Sequence, residues 1–182
     1  MDETSIIISG FGGQGTLFSG QVLAYAAMDS GLEITWIPSY GPEMRGGTAN
    51  CTVIVSEKEI GSPLVRIPDV VLALNLPSVD KYEKIMPQGG ILIANSSLFN
   101  REIKRKDIVS LLIPANEIAE KIGLSRLINM IMIGAMIALK PILSLDAVKK
   151  ALEEHIPDRH KKTLPMNFSA LDKGFEFASK AN

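Results

Sequence analysis

Cysteine is almost absent from the chain. The one thiol, Cys51, has no partner for an internal disulfide, which suits a reducing compartment, and it falls short of the about four thiolates that hold an iron-sulfur cluster. The chain is therefore expected to carry no redox centre of its own. Histidine is nearly as scarce: His155 and His160 are the only two. Both fall near predicted helix ends, where solvated or capping roles are expected rather than catalysis, and they predict no metal site. Net charge is missing too. At −1 formal charge and a pI near 6.1, no broad field draws the chain to nucleic acid or an anionic membrane, so any anion has to be held locally. No apolar run is long enough to span a bilayer. The longest, Leu127 to Leu139, is interrupted by Asn129 and stops well short of the ~20 residues a membrane span needs, so it reads as a buried helix. Met1 to Thr4 holds two acids and no basic stretch, unlike a signal peptide, which makes the cytoplasm the expected location.

What is present is an ordinary globular composition. In 182 residues, 46% hydrophobic and 21% charged, the chain can bury one core. It shows no linker, repeat or low-complexity stretch, so residues 1–182 read as a single domain. Ser5 to Ser9 is a β-branched run ending at glycines and predicts a strand covered on both faces. A helix follows from Thr16 to about Ser30, with Leu17, Val22, Leu23, Ala26 and Ala27 at helical spacing and Gly31 as its left-handed cap. Glu33 to Ile37 predicts a second strand.

This order opens a doubly wound sheet. Ala49, Cys51, Val53 and Val55 alternate with Asn50, Thr52 and Ile54, as in a half-covered strand, antiparallel and at one side of the sheet. Asp69 to Leu74, Gly90 to Ala94 and Ile108 to Ile113 predict further strands, with a helix over Pro77 to Ile85. Helices are expected near Asn116 to Ile122, Arg126 to Leu139, Asp146 to His155 and Leu164 to Ser179. The fold class is α/β: a Rossmann-like, doubly wound, mostly parallel sheet with a helical C-terminal part.

Two stretches can carry chemistry. Gly10-Phe11-Gly12-Gly13-Gln14-Gly15 has the spacing G-x-G-x-x-G between a predicted strand and helix. Glycines let a ligand approach the backbone, and the helix N-terminus offers unpaired N–H groups and partial positive charge to a phosphate. The plainer account is a tight turn that needs glycine for geometry alone. A Walker loop would place Lys before the hydroxyl residue, whereas Thr16 follows Gly15 directly, which argues against ATP hydrolysis. An NAD site would want an acid near the end of the second strand, but that strand ends Ile37-Pro38-Ser39, with Glu33 at its other end. The second stretch, Ser39 to Thr48, places Tyr40, Glu43, Met44 and Arg45 among glycines at the expected carboxyl edge of the sheet. Its plainer account is a solvated turn with a local Glu-Arg pair.

Read together, GFGGQG and SYGPEMRGGTANC (Ser39 to Cys51) closely resemble the gamma subunits of 2-oxoacid:ferredoxin oxidoreductases, particularly the 2-oxoglutarate type. Ile60 to Pro63, Pro68-Asp69, Gly89-Gly90, Asn95 to Leu98, and Asn129-Met130 with Gly134 extend the likeness over nearly the whole chain. The resemblance implies a multisubunit enzyme. Thiamine diphosphate and iron-sulfur clusters lie on partner subunits, electrons leave to ferredoxin, and coenzyme A takes the acyl group. The lack here of a Gly-Asp-Gly thiamine motif, clustered cysteines or a nucleophile-base arrangement is consistent with that division. Carried onto this sequence, Gly12, Gly13, Gln14, Gly15 and Thr16 become candidates for holding coenzyme A phosphates. Tyr40, Glu43, Met44 and Arg45 become candidates for contact with the thiamine subunit. No residue is expected to be catalytic in the chain alone, and self-pairing of the isolated chain is a further expectation.

Three alternatives stay open: another oxoacid such as pyruvate, a branched-chain oxoacid or indolepyruvate; a free-standing dinucleotide-binding protein; and a scaffold whose glycine loop touches only protein. Asn129, if buried, needs a hydrogen-bond partner. Cys51 is expected to be a small buried hydrophobe. The basic run Arg159 to Lys162 reads as a solvated face that can also meet an anionic surface or nucleotide.

Overall fold

The computed structural model describes residues 3–40 and 48–181, with Tyr40 and Thr48 described in backbone only. Six strands form one sheet: β1 (Thr4–Phe11), β2 (Glu33–Tyr40), β3 (Thr48–Ser56), β4 (Val70–Ala73), β5 (Ile91–Asn95) and β6 (Val109–Ile113), in the order β2-β3-β1-β4-β5-β6. β1, β4, β5 and β6 run parallel, while β3 is antiparallel to both its neighbours. The sheet is thus mixed, in agreement with the expected α/β class.

Two expectations are corrected at the β3 side. β3 does not sit at one side of the sheet with one face bare: it lies between β1 and β2, and Cys51, Val53, Ile54 and Val55 are all fully buried. The edge belongs to β2, which runs on through Tyr40 because its ladder with β3 continues to the Tyr40–Ala49 pair. β2 is therefore not the neighbour of β1, as it would be in a dinucleotide-binding sheet.

The helices are α1 (Thr16–Asp29), α2 (Leu76–Tyr82), α3 (Ala115–Ile122), α4 (Ile128–Leu139), α5 (Leu145–His155) and α6 (Leu164–Ala181), each within a few residues of its predicted span. Their distribution is lopsided. α1, α3, α4, α5 and α6 share one large core with Ile6, Ile8, Val53, Leu72, Ile93 and their neighbours. The opposite face carries a smaller core in which Ile7, Val71 and Leu92 meet Val79 and Tyr82 of α2 and Ile103 and Ile108 of the β5–β6 connection. α4 is buried almost throughout, as a helix apolar on every face apart from Asn129 requires. It crosses α6 so closely that a Cβ on Gly134 would strike the Leu171 carbonyl, and one on Gly174 the Ile131 carbonyl.

The smaller face is held by a polar clamp. Glu83, 4% exposed, follows α2 and accepts from the Lys104 and Arg105 amides and from the Arg101 guanidinium, while Arg105 also donates to the Glu83 and Met86 carbonyls. Burial alone would raise the Glu83 pKa. These donors outweigh it and hold the carboxyl below its ordinary value of 4.5.

Candidate functional site

The carboxyl ends of β1 and β4 are adjacent in the sheet, but the chain leaves β1 for α1 on one face and β4 for α2 on the other. Ligands of open α/β sheets settle at this kind of switch point. The glycine loop lies here. Gln14 closes it as a turn: its N–H donates to the Phe11 carbonyl at 3.2 Å, and its side-chain oxygen accepts the Phe11 N–H at 2.6 Å. The Gln14 amide nitrogen donates across to the Leu74 carbonyl at the end of β4, at 3.3 Å. The polar atoms of this side chain are thus engaged in shaping the loop.

Gly13 and Gly15 both adopt the left-handed region, with φ of +93° and +79°, a conformation that costs other L-residues roughly 1–2 kcal/mol. The space around them differs. A Cβ on Gly13 would meet nothing within 4 Å among the described residues, whereas one on Gly15 would lie 2.6 Å from the Asn129 amide nitrogen. Asn129, 5% exposed, finds there the partner its burial demands: it donates to the Gly15 carbonyl at 3.4 Å, and Ser19 donates to the same carbonyl from both its N–H and its hydroxyl. The loop is therefore seated from below by α4 and open at Gly13.

Gly15 is the N-cap of α1. No side chain caps this helix and no acid occupies its first turn, so the amides of Thr16, Leu17 and Phe18 have no acceptor among the described residues. They are the donors that an anion would take. Thr16 is 3% exposed, and its carbonyl accepts the Cys51 thiol at 3.2 Å. Burial pushes that thiol up to about 11, against smaller opposing pulls from the Trp36 indole and the Gly20 backbone. Cys51 is thus a buried thiol, protonated at neutral pH.

The second predicted stretch is anchored at the same edge. Thr48 pairs with Phe11, and Tyr40 with Ala49, so the two strand ends flanking 41–47 stand one and two strand spacings, about 5 and 10 Å, from the end of β1. Glu43, Met44 and Arg45 themselves lie outside the described residues, as does the Tyr40 side chain.

Sequence reasoning gave no chemical role to the polar residues on the other side of the loop. Asn75 caps α2 through the Ser78 N–H at 3.0 Å and accepts the Ser78 hydroxyl at 2.6 Å, and that hydroxyl also lies 2.9 Å from Ser9. The Asn75 amide nitrogen is buried without a partner. One strand further on, Asn95, fully buried, accepts the Ala115 N–H and donates to Asn116, while Ser97 bonds Glu117. Asn75 could have been found: it closes a strand-length apolar run and stands three residues before a serine, a cap signature.

Residues 5–177 match the family model described as pyruvate ferredoxin/flavodoxin oxidoreductase. The chain is 38% identical over 177 residues to the ketoisovalerate oxidoreductase subunit VorA of Methanothermobacter thermautotrophicus, covering 97% of this chain and 36% of VorA. It thus spans about a third of the first curated relatives' length. To the 2-oxoglutarate synthase subunit KorC of Methanocaldococcus jannaschii it is 34% identical, over 96% of this chain and 94% of that subunit. It superposes on the 2-oxoglutarate:ferredoxin oxidoreductase of Magnetococcus marinus, solved with 2-oxoglutarate, coenzyme A and succinyl-CoA bound, with a TM-score of 0.88 and 25% identity, over 100% of this chain and 32% of that one. From the match to the family model across nearly its whole length, this chain belongs to the pyruvate ferredoxin/flavodoxin oxidoreductase family.

Proposed function

We propose that the chain is the gamma-type subunit, one catalytic-complex domain over residues 1–182, of a cytoplasmic 2-oxoacid:ferredoxin oxidoreductase. The complex would convert 2-oxoglutarate and coenzyme A to succinyl-CoA and carbon dioxide and pass electrons to ferredoxin. Thiamine diphosphate and the iron-sulfur clusters belong to partner subunits, and this chain is inactive alone. Its part is to hold the coenzyme A phosphates at Gly12, Gly13, Gln14, Gly15 and Thr16, while Tyr40, Glu43, Met44 and Arg45 meet the thiamine subunit.

The observation that carries this reading is the uncapped N-terminus of α1 behind a glycine loop that is open at Gly13. An anion there gains unpaired amides and the helix dipole. The topology also weighs against the dinucleotide-binding rival. With β3 between β1 and β2, a strand-end acid on β2 would stand about 10 Å from the glycine loop's strand, one strand too far for a ribose held beside it.

Support for 2-oxoglutarate comes from KorC, which aligns end to end with this chain, and from the ligands of the Magnetococcus marinus enzyme. A second reading, a branched-chain oxoacid, is favoured by the identity to VorA. A panel of oxoacids assayed with the native assembly separates them: a kcat/KM for 2-oxoglutarate above that for ketoisovalerate supports the first, and the reverse order overturns it.

A further inference from the structure

Two cavities of about 380 and 310 Å³ lie side by side where α1, α5 and the 156–163 connection meet, and Phe18, Ile156 and His160 line both. Each has the volume of a small-molecule site, about 300 Å³ or more. Its cationic side chains are Arg126 and Arg159, while the lining imidazole of His155 is held by the Asp29 carboxylate at 2.9 Å. Arg126 has no ion-pair or hydrogen-bond partner among the described residues. Arg159 spends only its Nε, on His160 Nε2 at 3.1 Å, leaving the two-pronged end of its guanidinium free. The floor is apolar, from Phe18 and Leu127 to a parallel stack of Tyr25 on His155 with ring centres 4.1 Å apart.

A groove of about 620 Å³ between α3 and α6 is larger, but its lysines share the rim with Glu176, which pairs with Lys173, so its lining selects neither sign of charge. The trough offers two guanidinium groups, one from each cavity. Free guanidinium groups recognise phosphate through paired donors, and an apolar floor beside stacked rings accepts a planar base. We propose that this trough is a binding site for a phosphate-bearing nucleotide. It opens beside the first turn of α1, at Phe18 and Leu127, two residues before the Asn129 that seats the glycine loop. The nucleotide is therefore either the adenosine phosphate end of coenzyme A or a separate nucleotide. The trough's own chemistry does not depend on the glycine-loop reading.

The test is isothermal titration of the purified native protein with 3′,5′-ADP, repeated with the doubly substituted Arg126→Gln, Arg159→Gln protein and with Gly13→Asp. Saturable binding that the double substitution weakens by about tenfold or more supports the proposal. Its persistence in Gly13→Asp separates the trough from the glycine loop. Competition by coenzyme A identifies the nucleotide as that of coenzyme A, and binding undisturbed by saturating coenzyme A identifies a separate one. Absence of saturable binding, or binding that the double substitution leaves unchanged, overturns it.

Discussion

Two strand-to-helix turns stand side by side at one edge of this sheet and end in opposite ways. At the β4–α2 turn, Asn75 supplies its own helix with an acceptor, Ser78 ties the turn to Ser9 of β1, and Glu83 pins the far end of α2. Among the described residues the β1–α1 turn has no such side chain: glycine caps the helix, and the first-turn amides are left without an acceptor. A buried helix end is normally satisfied by its own protein. The neighbouring helix is capped by its own asparagine and α1 is not, and on the reading proposed above the open first-turn donors are those offered to coenzyme A.

The comparison breaks most visibly at Gly15. Gly15→Ala forces a Cβ against Asn129 in a left-handed residue and is expected to lower stability by about 2–4 kcal/mol, measured by urea unfolding. Wild-type stability would show that α4 does not seat the loop. Gly13→Asp has free space beside it. It should therefore cost only about 1 kcal/mol in folding while placing a carboxylate at the proposed phosphate position, raising the KM for coenzyme A at least about tenfold with assembly intact. An unchanged KM would remove the glycine loop from the coenzyme A site.

At the other turn the effects are reversed. Asn75→Ala is expected to cost about 1 kcal/mol through the lost cap and to leave the KM for coenzyme A alone. The smallest effect concerns pH. The folded-state pKa of Glu83 is depressed, so its contribution is complete above its ordinary value of 4.5 and is lost as pH falls through the lower folded value. Urea midpoints for wild type should therefore fall more steeply below that pH than those for Glu83→Gln. Parallel slopes would show that the clamp does not hold the carboxylate charged.

Much of this was legible in the residues. The apolar runs of β1, β4 and β5, the glycines between β1 and α1, and the four-and-three spacing along α6 each state a local preference that the packing obeys. Asn129 announced itself as a buried amide in need of a partner, although only the fold could name Gly15. The place of β3 was hidden, because strand pairing depends on which edge is free, and nothing in Ala49 to Val55 distinguishes an internal antiparallel strand from an edge one. The trough was equally hidden. Arg126 and Arg159 are 33 positions apart in sequence, and only the packing of α1, α5 and the 156–163 connection brings them to adjoining cavities.

Hydrogen exchange of the native assembly with and without coenzyme A tests the contrast between the two turns most directly. The account predicts that coenzyme A protects the amides of Gly13 to Phe18 and leaves those of Leu76 to Val79 unchanged. Equal exchange at Gly13 to Phe18 with and without coenzyme A would contradict it.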